Sequence, residues 1–298
     1  MTMPALIIEA AVNGGTPKSR NCNVPRSPAE IAEDGIACIE AGASIVHNHN
    51  DDAFYGSPNG RHAVEPYIEA WTAILAAHAD VLLYPTMASG GPQTIIEERY
   101  AHIPALAEAG LTRLGLIDPG SVNIGGMDAS GLPIAADSTY INTLRDTRYM
   151  FDTCVRMSLS PSVSIFEPGF LRVALAYHKA GHLPPGALIK LYFGGPNSLF
   201  GLPPAATSLD AYLAMLEGSG LQWSVAVLGG DVIACGLARV AIERGGHVRV
   251  GLEDYAGSKE DPRNVELIQE LVELANECGR PIATPTEAAG ILGIPQRF

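Results

Sequence analysis

The stretch SPAEIAEDGIACIEAGASIVHNH (residues 27–49) holds one complete structural unit. Ser27 can cap a helix, Pro28 suits its first turn, and Glu30, three residues beyond Ser27, can close a capping box. Gly42 stands where such a helix should stop. SIVHNH (44–49) then reads as a short buried strand, being apolar and β-branched before it turns polar. Upstream, ALIIEAAV (5–12) reads as another strand. Strand, capped helix and strand make a βαβ unit, the crossover that parallel strands require.

The same alternation continues along the chain. DVLLYPT (80–86), RLGLID (113–118), SVSIFE (162–167), ALIKLYF (187–193), QWSVAVLG (222–229) and HVRVGLED (247–254) read as further strands. Between and after them PYIEAWTAILAAH, IIEERYAHIPALAEAG, STYINTLRDTRYMFDTCVRM, PGFLRVALAYHKAG, SLDAYLAMLEGSG, DVIACGLARVAIERG and NVELIQELVELANECG read as helices. Eight β-then-α pairs predict an α/β fold, a (β/α)8 TIM barrel, with an open doubly wound sheet as the alternative. Residues 1–298 read as a single barrel domain, with PIATPTEAAGILGIPQRF as a short C-terminal extension.

Composition narrows the classes of function. Apolar residues make up 47% and charged residues 17%, which is globular. A net charge of -13 disfavours binding to a phosphate backbone, so no nucleic-acid partner is expected. MTMPALIIEAAVNGG lacks the charged start of a signal peptide, and no run of about 18 apolar residues predicts a membrane span. Five scattered cysteines (Cys22, Cys38, Cys154, Cys235, Cys278) with no CxxC suggest a reducing, cytoplasmic setting, each cysteine serving as a small buried hydrophobe.

A barrel places chemistry where strands end and βα loops begin. Those positions are polar here: Asn13 and Thr16; His47, Asn48 and His49; Thr86 and Ser89; Asp118, Ser121 and Asn123; Glu167; Asn197; Asp231; Glu253 and Asp254. Strand interiors read as apolar. His47 and His49, two apart on a strand, face the same way. Glu253 on the eighth strand shares a face with Arg249 and Gly251, and even-numbered strands feed the same interior layers. His47, His49 and Glu253 are thus candidate ligands for a catalytic Zn²⁺, a set that also suits ferrous iron or manganese. The bland reading is a hydrogen-bonded histidine pair. The other histidines (His62, His78, His102, His178, His182, His247) read as solvated or packing residues.

Arg249, between Val248 and Val250, needs an anionic partner if it is buried. That partner is either Glu253 or the carboxylate of a substrate, and the second is favoured. Asp254 follows the third ligand and so turns toward the other face or into the loop, where it can act as general base or merely close the loop.

GGHVRVGLEDY (245–255), AGASIVHNHN (41–50), GRPIATPTEAAGILGI (279–294) and SPAEIAEDGIACIEAGA (27–43) together resemble the β-keto acid cleavage enzyme family, first recognised through 3-keto-5-aminohexanoate cleavage. The similarity runs through the chain in order. It implies a zinc-dependent barrel that condenses a β-keto acid with acetyl-CoA to give acetoacetate and a new acyl-CoA, and it implies a homotetramer. By position it implies His47, His49 and Glu253 as zinc ligands, Arg249 on the substrate carboxylate and Asp254 as base. Ser121, Ser89 and Thr16 fall at substrate-pocket positions. CoA phosphates could be met by Gly194, Gly195, Gly229 and Gly230 if these stand at helix entrances. Thr16 replaces an acidic residue that reads an ammonium group in the founding enzyme, and Lys18 and Arg20 share its loop, so a neutral or anionic acid is expected. Asn48 and Asp51 stand where the family has an apolar residue and an arginine.

Two other readings compete. A metal-dependent amidohydrolase-like hydrolase also places His-x-His in a barrel, but on the first strand with further histidines on the fifth and sixth; SVSIFE and ALIKLYF contain none. A non-catalytic ligand-binding barrel with a structural histidine pair predicts no metal and no acetyl-CoA turnover.

Overall fold

The computed structural model describes residues 3–50, 61–87, 94–136 and 139–295. Its strands are β1 (Ile8–Ala11), β2 (Ile45–Asn48), β3 (Leu82–Pro85), β4 (Leu114–Ile117), β5 (Ser160–Ile165), β6 (Leu188–Gly194), β7 (Gln222–Leu228) and β8 (His247–Val250). They pair in parallel in the order β3-β2-β1-β8-β7-β6-β5-β4. That order is a ring cut between β3 and β4. The first and last strands are neighbours, with Ile8 opposite Val248 and Ala10 opposite Val250, so the sheet is a barrel and not a doubly wound sheet. At the remaining seam the Thr112 hydroxyl, just before β4, donates to the Leu83 carbonyl of β3 at 2.6 Å.

Helices α1 (Pro28–Ala41), α2 (Glu65–Ala77), α3 (Ile96–Arg99), α4 (His102–Glu108), α5 (Leu144–Arg156), α6 (Pro168–Lys179), α7 (Ala206–Leu216), α8 (Leu237–Glu243), α9 (Asn264–Glu277) and α10 (Pro285–Leu292) are the helices among the described residues. α1 begins as its sequence predicts: the Glu30 amide donates to Ser27 Oγ, and Glu30 Oε2 accepts from the Ser27 amide. It ends at Gly42, whose φ of 125° would strain any side chain. Together α1 and β2 hold His47 at the C-terminal rim.

Three helices differ from expectation, α5 being one: it starts at Leu144 behind a Thr143 cap, while Tyr140, inside the expected helix, bridges to Val122. IIEERYAHIPALAEAG forms two helices, because Pro104 has no N–H to return to the Tyr100 carbonyl and the ladder breaks there. α8 starts only at Leu237, after Gly236 takes a left-handed φ of 82°. The tail closes the N-terminal end of the barrel. Leu6 donates to the Pro281 carbonyl (2.7 Å) and Ala283 to the Leu6 carbonyl (2.9 Å). Buried Arg280 donates to the carbonyls of Pro4, Ile242, Gly245 and Gly246. All five cysteines are free, but only Cys38 and Cys154 are buried; Cys22 and Cys235 lie exposed. No helix among the described residues is long and apolar enough to cross a membrane.

Candidate active site

β1 lies between β2 and β8, and its register sets Ala11 beside His47 and Glu9 beside Arg249. β8 ends at Val250, so Glu253 does not reach the site by strand alternation with Arg249, as expected from sequence. A turn brings it there. Gly251 has φ 151°, and a Cβ on it would meet the Ala11 carbonyl oxygen at 2.1 Å. The Asp254 and Tyr255 amides then donate to the Gly251 carbonyl at 3.1 and 3.0 Å, and the Glu253 amide donates to the Ala11 carbonyl at 3.1 Å. Asp254 lies in the loop after β8, one of the two placements expected for it. The Glu253 and Asp254 carboxylates both meet Arg249.

His47 Nε2 lies 3.3 Å from Glu253 Oε2, and His49 Nε2 lies 3.2 Å from Glu253 Oε1. One ligand atom from each of the three residues can be chosen so that all lie within 4.8 Å of one another. His47 Nδ1 is 3.2 Å from the Tyr84 carbonyl, an acceptor that can hold the Nδ1–H tautomer and so leave the Nε2 lone pair to a metal. Burial pushes His47 down to about 4 against the pull of Glu253, which keeps the ring neutral at pH 7. In that tautomer a cation between Nε2 and the Glu253 carboxylate would bind both. Tetrahedral zinc bonds of about 2.0–2.2 Å separate ligand atoms by about 3.4 Å, near the spacings found here. The three residues therefore fit a metal of this type.

The rim is held from behind. Asn13 Nδ2 donates to the carbonyls of His49 and Pro25, both at 3.0 Å, and its Oδ1 accepts from the His49 amide at 2.8 Å. Gly14, at φ 50°, backs directly onto Glu253; a Cβ there would lie 2.2 Å from Glu253 Cγ. Gly14→Ala is expected to displace Glu253 and weaken metal binding by at least about 10-fold, measured by competition with a chromogenic chelator. Unchanged affinity would mean that Glu253 does not hold the ion.

Arg249 is fully buried and ringed by acids. Its Nε donates to Asp254 Oδ2 (2.7 Å), Nη2 to Asp254 Oδ1 (3.2 Å) and Glu253 Oε1 (2.8 Å), and Nη1 to Glu9 Oε1 (2.8 Å). Of the two sequence readings, the ion pair with Glu253 is present, and a substrate carboxylate would have to share the guanidinium. Burial works against ionised Glu253, but the Arg249 guanidinium outweighs it and holds the carboxyl well below its usual range. Asp254 goes the other way: burial raises it despite Arg249.

The interiors of the strands are not purely apolar. Glu9 of β1, Tyr84 of β3 and Lys190 of β6 are buried together beneath Arg249. Lys190 Nζ donates to Glu9 (3.2 Å), Tyr84 (2.5 Å) and Ser162 (3.1 Å), and the Tyr84 hydroxyl donates to Glu9. The Tyr84 ring stacks on His47 with centroids 4.4 Å apart. Sequence reasoning missed all three. The available signal was one charged residue inside each of two β-branched runs, IIEAAV and LIKLYF.

The remaining candidates lie elsewhere. Thr16 donates to the Leu252 carbonyl (2.9 Å) and lines a cleft with Arg20, Tyr255, Lys259 and Asp261. Ser121 donates to the Asn142 carbonyl (3.1 Å) and accepts from the Asn142 amide (3.0 Å), so it braces the loop after β4. Ser89 and Asp51 fall outside the described residues. The four glycines offered to CoA do not stand at helix entrances: Gly195 stands eleven positions before Ala206, and Gly230 seven before Leu237. Their amides are also engaged, Gly194 with Leu202, Gly195 with Leu228, and Gly229 and Gly230 with the Asp254 carbonyl. A Cβ on Gly195 would meet the Gly229 carbonyl oxygen at 2.0 Å, so these glycines serve close packing of the loops after β6 and β7. His62 and His102 are buried and pack ring to ring at 4.6 Å, as the packing reading holds.

Comparison with known proteins follows the same lines. The sequence profile of the beta-keto acid cleavage enzyme family matches residues 5–294. The chain belongs to this family. The 3-keto-5-aminohexanoate cleavage enzyme of Acetoanaerobium sticklandii is 30% identical across 98% of this chain and 99% of its own length. The 3-oxoadipate:acetyl-CoA acetyltransferase of Cupriavidus necator is 27% identical across 99% and 96%. Among solved structures, apo ObcA superposes with a TM-score of 0.71 at 18% identity over 91% of this chain, which shows the shared fold; this chain spans 66% of that longer one. Family membership and the absence of histidine from β5 and β6 both count against the amidohydrolase-like alternative.

Proposed function

We propose that this β-keto acid cleavage enzyme condenses a β-keto acid with acetyl-CoA, giving acetoacetate and the acyl-CoA of the original acid. The observation that carries the proposal is the meeting of His47, His49 and Glu253 beside an Arg249-bound Asp254 at one barrel rim. The names of two relatives support this reading, a 3-keto-5-aminohexanoate cleavage enzyme and a 3-oxoadipate:acetyl-CoA acetyltransferase.

His47, His49 and Glu253 would hold the metal, zinc being the ion that these donors suit best. Bound there, a divalent cation supplies Lewis acidity for the keto oxygen and for negative charge that develops on it. Asp254 takes a proton from the carbon between the two carbonyls, and its raised proton affinity suits that task. Arg249 orients Asp254 and offers positive charge to the substrate carboxylate. The carbon so freed attacks the acetyl thioester, a carbon–carbon bond forms and CoA thiolate leaves. The thiolate attacks the original keto carbon, the old carbon–carbon bond breaks, and the released acetoacetate carbon takes the proton back from Asp254. Atoms balance: the acyl group moves to sulfur and the acetyl group to carbon.

Lys18 is paired with Glu30 at 2.5 Å, and the cleft beside Thr16 carries Arg20 and Lys259 together with Glu260 and Asp261. Because position 16 is a threonine where the founding enzyme has an acid, a neutral or anionic acid fits better than an amino acid. A panel of β-keto acids mixed with acetyl-CoA and zinc-loaded protein tests this, with acetoacetate as readout. Neutral or dicarboxylic members are expected to exceed ammonium-bearing ones by at least about 10-fold in kcat/KM, since a charge facing the wrong sign costs more than one such factor. No acetoacetate from any member would overturn the activity. A homotetramer belongs to the same proposal and is checked by light scattering.

A further inference from the structure

We propose that Glu9, beneath the site, is a positioning residue: it fixes the Arg249 guanidinium and, through it, the Asp254 carboxylate. The inference rests on the reading of Asp254 as base and adds a residue which that reading does not use. Glu9 is fully buried, and Oε1 receives three donors: Arg249 Nη1 at 2.8 Å, Lys190 Nζ at 3.2 Å and the Tyr84 hydroxyl. A guanidinium is planar, so holding Nη1 from below at Glu9 while Nε faces Asp254 Oδ2 at 2.7 Å fixes the ring in both tilt and depth. Lys190 and Tyr84 fix Glu9 in turn. Tyr84 also stacks on His47 and offers its backbone carbonyl to Nδ1, so one side chain touches both halves of the site.

The competing explanation is that Glu9 exists only to neutralise Lys190. The two accounts separate when both charges are removed. Glu9→Met alone leaves Lys190 buried without a carboxylate and can fail to fold. The Glu9→Met/Lys190→Met pair replaces both ions with apolar groups of similar length, a change that buried ion pairs commonly tolerate. It is compared with Lys190→Met, which keeps Glu9 on Arg249. The double variant is expected to fold, to bind zinc stoichiometrically and to keep KM within about 3-fold, while kcat falls about 10- to 100-fold below Lys190→Met, the range typical of residues that support a site from behind. Crystal structures of the two variants give a readout free of turnover: Arg249 Nε is expected to leave hydrogen-bond distance of Asp254 only in the double variant. Equal kcat in both, with Arg249 still on Asp254, would show that Glu9 is a counterion for Lys190 and would overturn the proposal. If wild-type protein makes no acetoacetate, the functional reading fails, and the crystal comparison still decides what Glu9 does.

Discussion

Glu253→Gln is expected to purify without bound metal and without activity, whereas Asp254→Asn keeps its metal and loses turnover by at least about 10³-fold, within the range for removal of a general base. The two residues are adjacent in sequence and share Arg249, yet only Glu253 faces His47 and His49. A neutral amide at position 253 offers one oxygen and no charge to an ion that needs both. At position 254 the amide can still bond to Arg249 but cannot accept the proton. Metal content by atomic emission and acetoacetate formation, measured on the same preparations, check the split. Equal metal loss in both variants would mean that the roles are divided wrongly.

Arg249→Met is expected to be the most damaging change to the fold among the residues of the site. It leaves the carboxylates of Glu9, Glu253 and Asp254 buried with Lys190 as their remaining close cation. Removing one partner from a buried ionic cluster costs about 3–5 kcal/mol, because the groups left behind stay desolvated. Glu9 shows how strongly this field acts: against its burial, Lys190 and Arg249 hold its carboxyl at about 2. Urea denaturation of metal-free protein, wild type against variant, measures the loss. A difference under about 1 kcal/mol would show that the acids take up protons or rearrange at little cost. Arg249→Lys is expected to recover part of the stability and little of the rate, since an ammonium cannot bond Glu9 and both oxygens of Asp254 in one plane.

Much of this arrangement was legible in the sequence for physical reasons. The alternation of β-branched runs with capped helical patterns gave the barrel, since parallel strands joined by helices have few other ways to bury both faces. His47 and His49 were legible because a spacing of two survives any small error in strand boundary. Glu253 was found by the right pairing of strands and the wrong local geometry, because a one-letter string does not show that Gly251 ends β8 against the Ala11 carbonyl. The glycines after β6 and β7 misled for a related reason: a loop that needs glycine for packing looks the same as one that needs it to approach a phosphate. Glu9 and Lys190 were overlooked because a single charge in an apolar run has no period, and the partner 181 positions away appears only when the sheet closes.

That closure has a consequence for assembly. The proposed ligands sit on either side of the junction where the first staves of the cylinder meet the last. Residue 253 lies 206 positions after residue 47, so a fragment that ends before β8 cannot bring the proposed ligands together. An ion held there would act as a clasp across the seam between the first strands and the last, while the opposite joint, near Thr112 and Leu83, relies on a hydroxyl where its neighbours have a ladder. Chelation should therefore loosen the barrel first at the clasp, and new chain ends are best placed at the opposite joint, where they leave the clasp undivided.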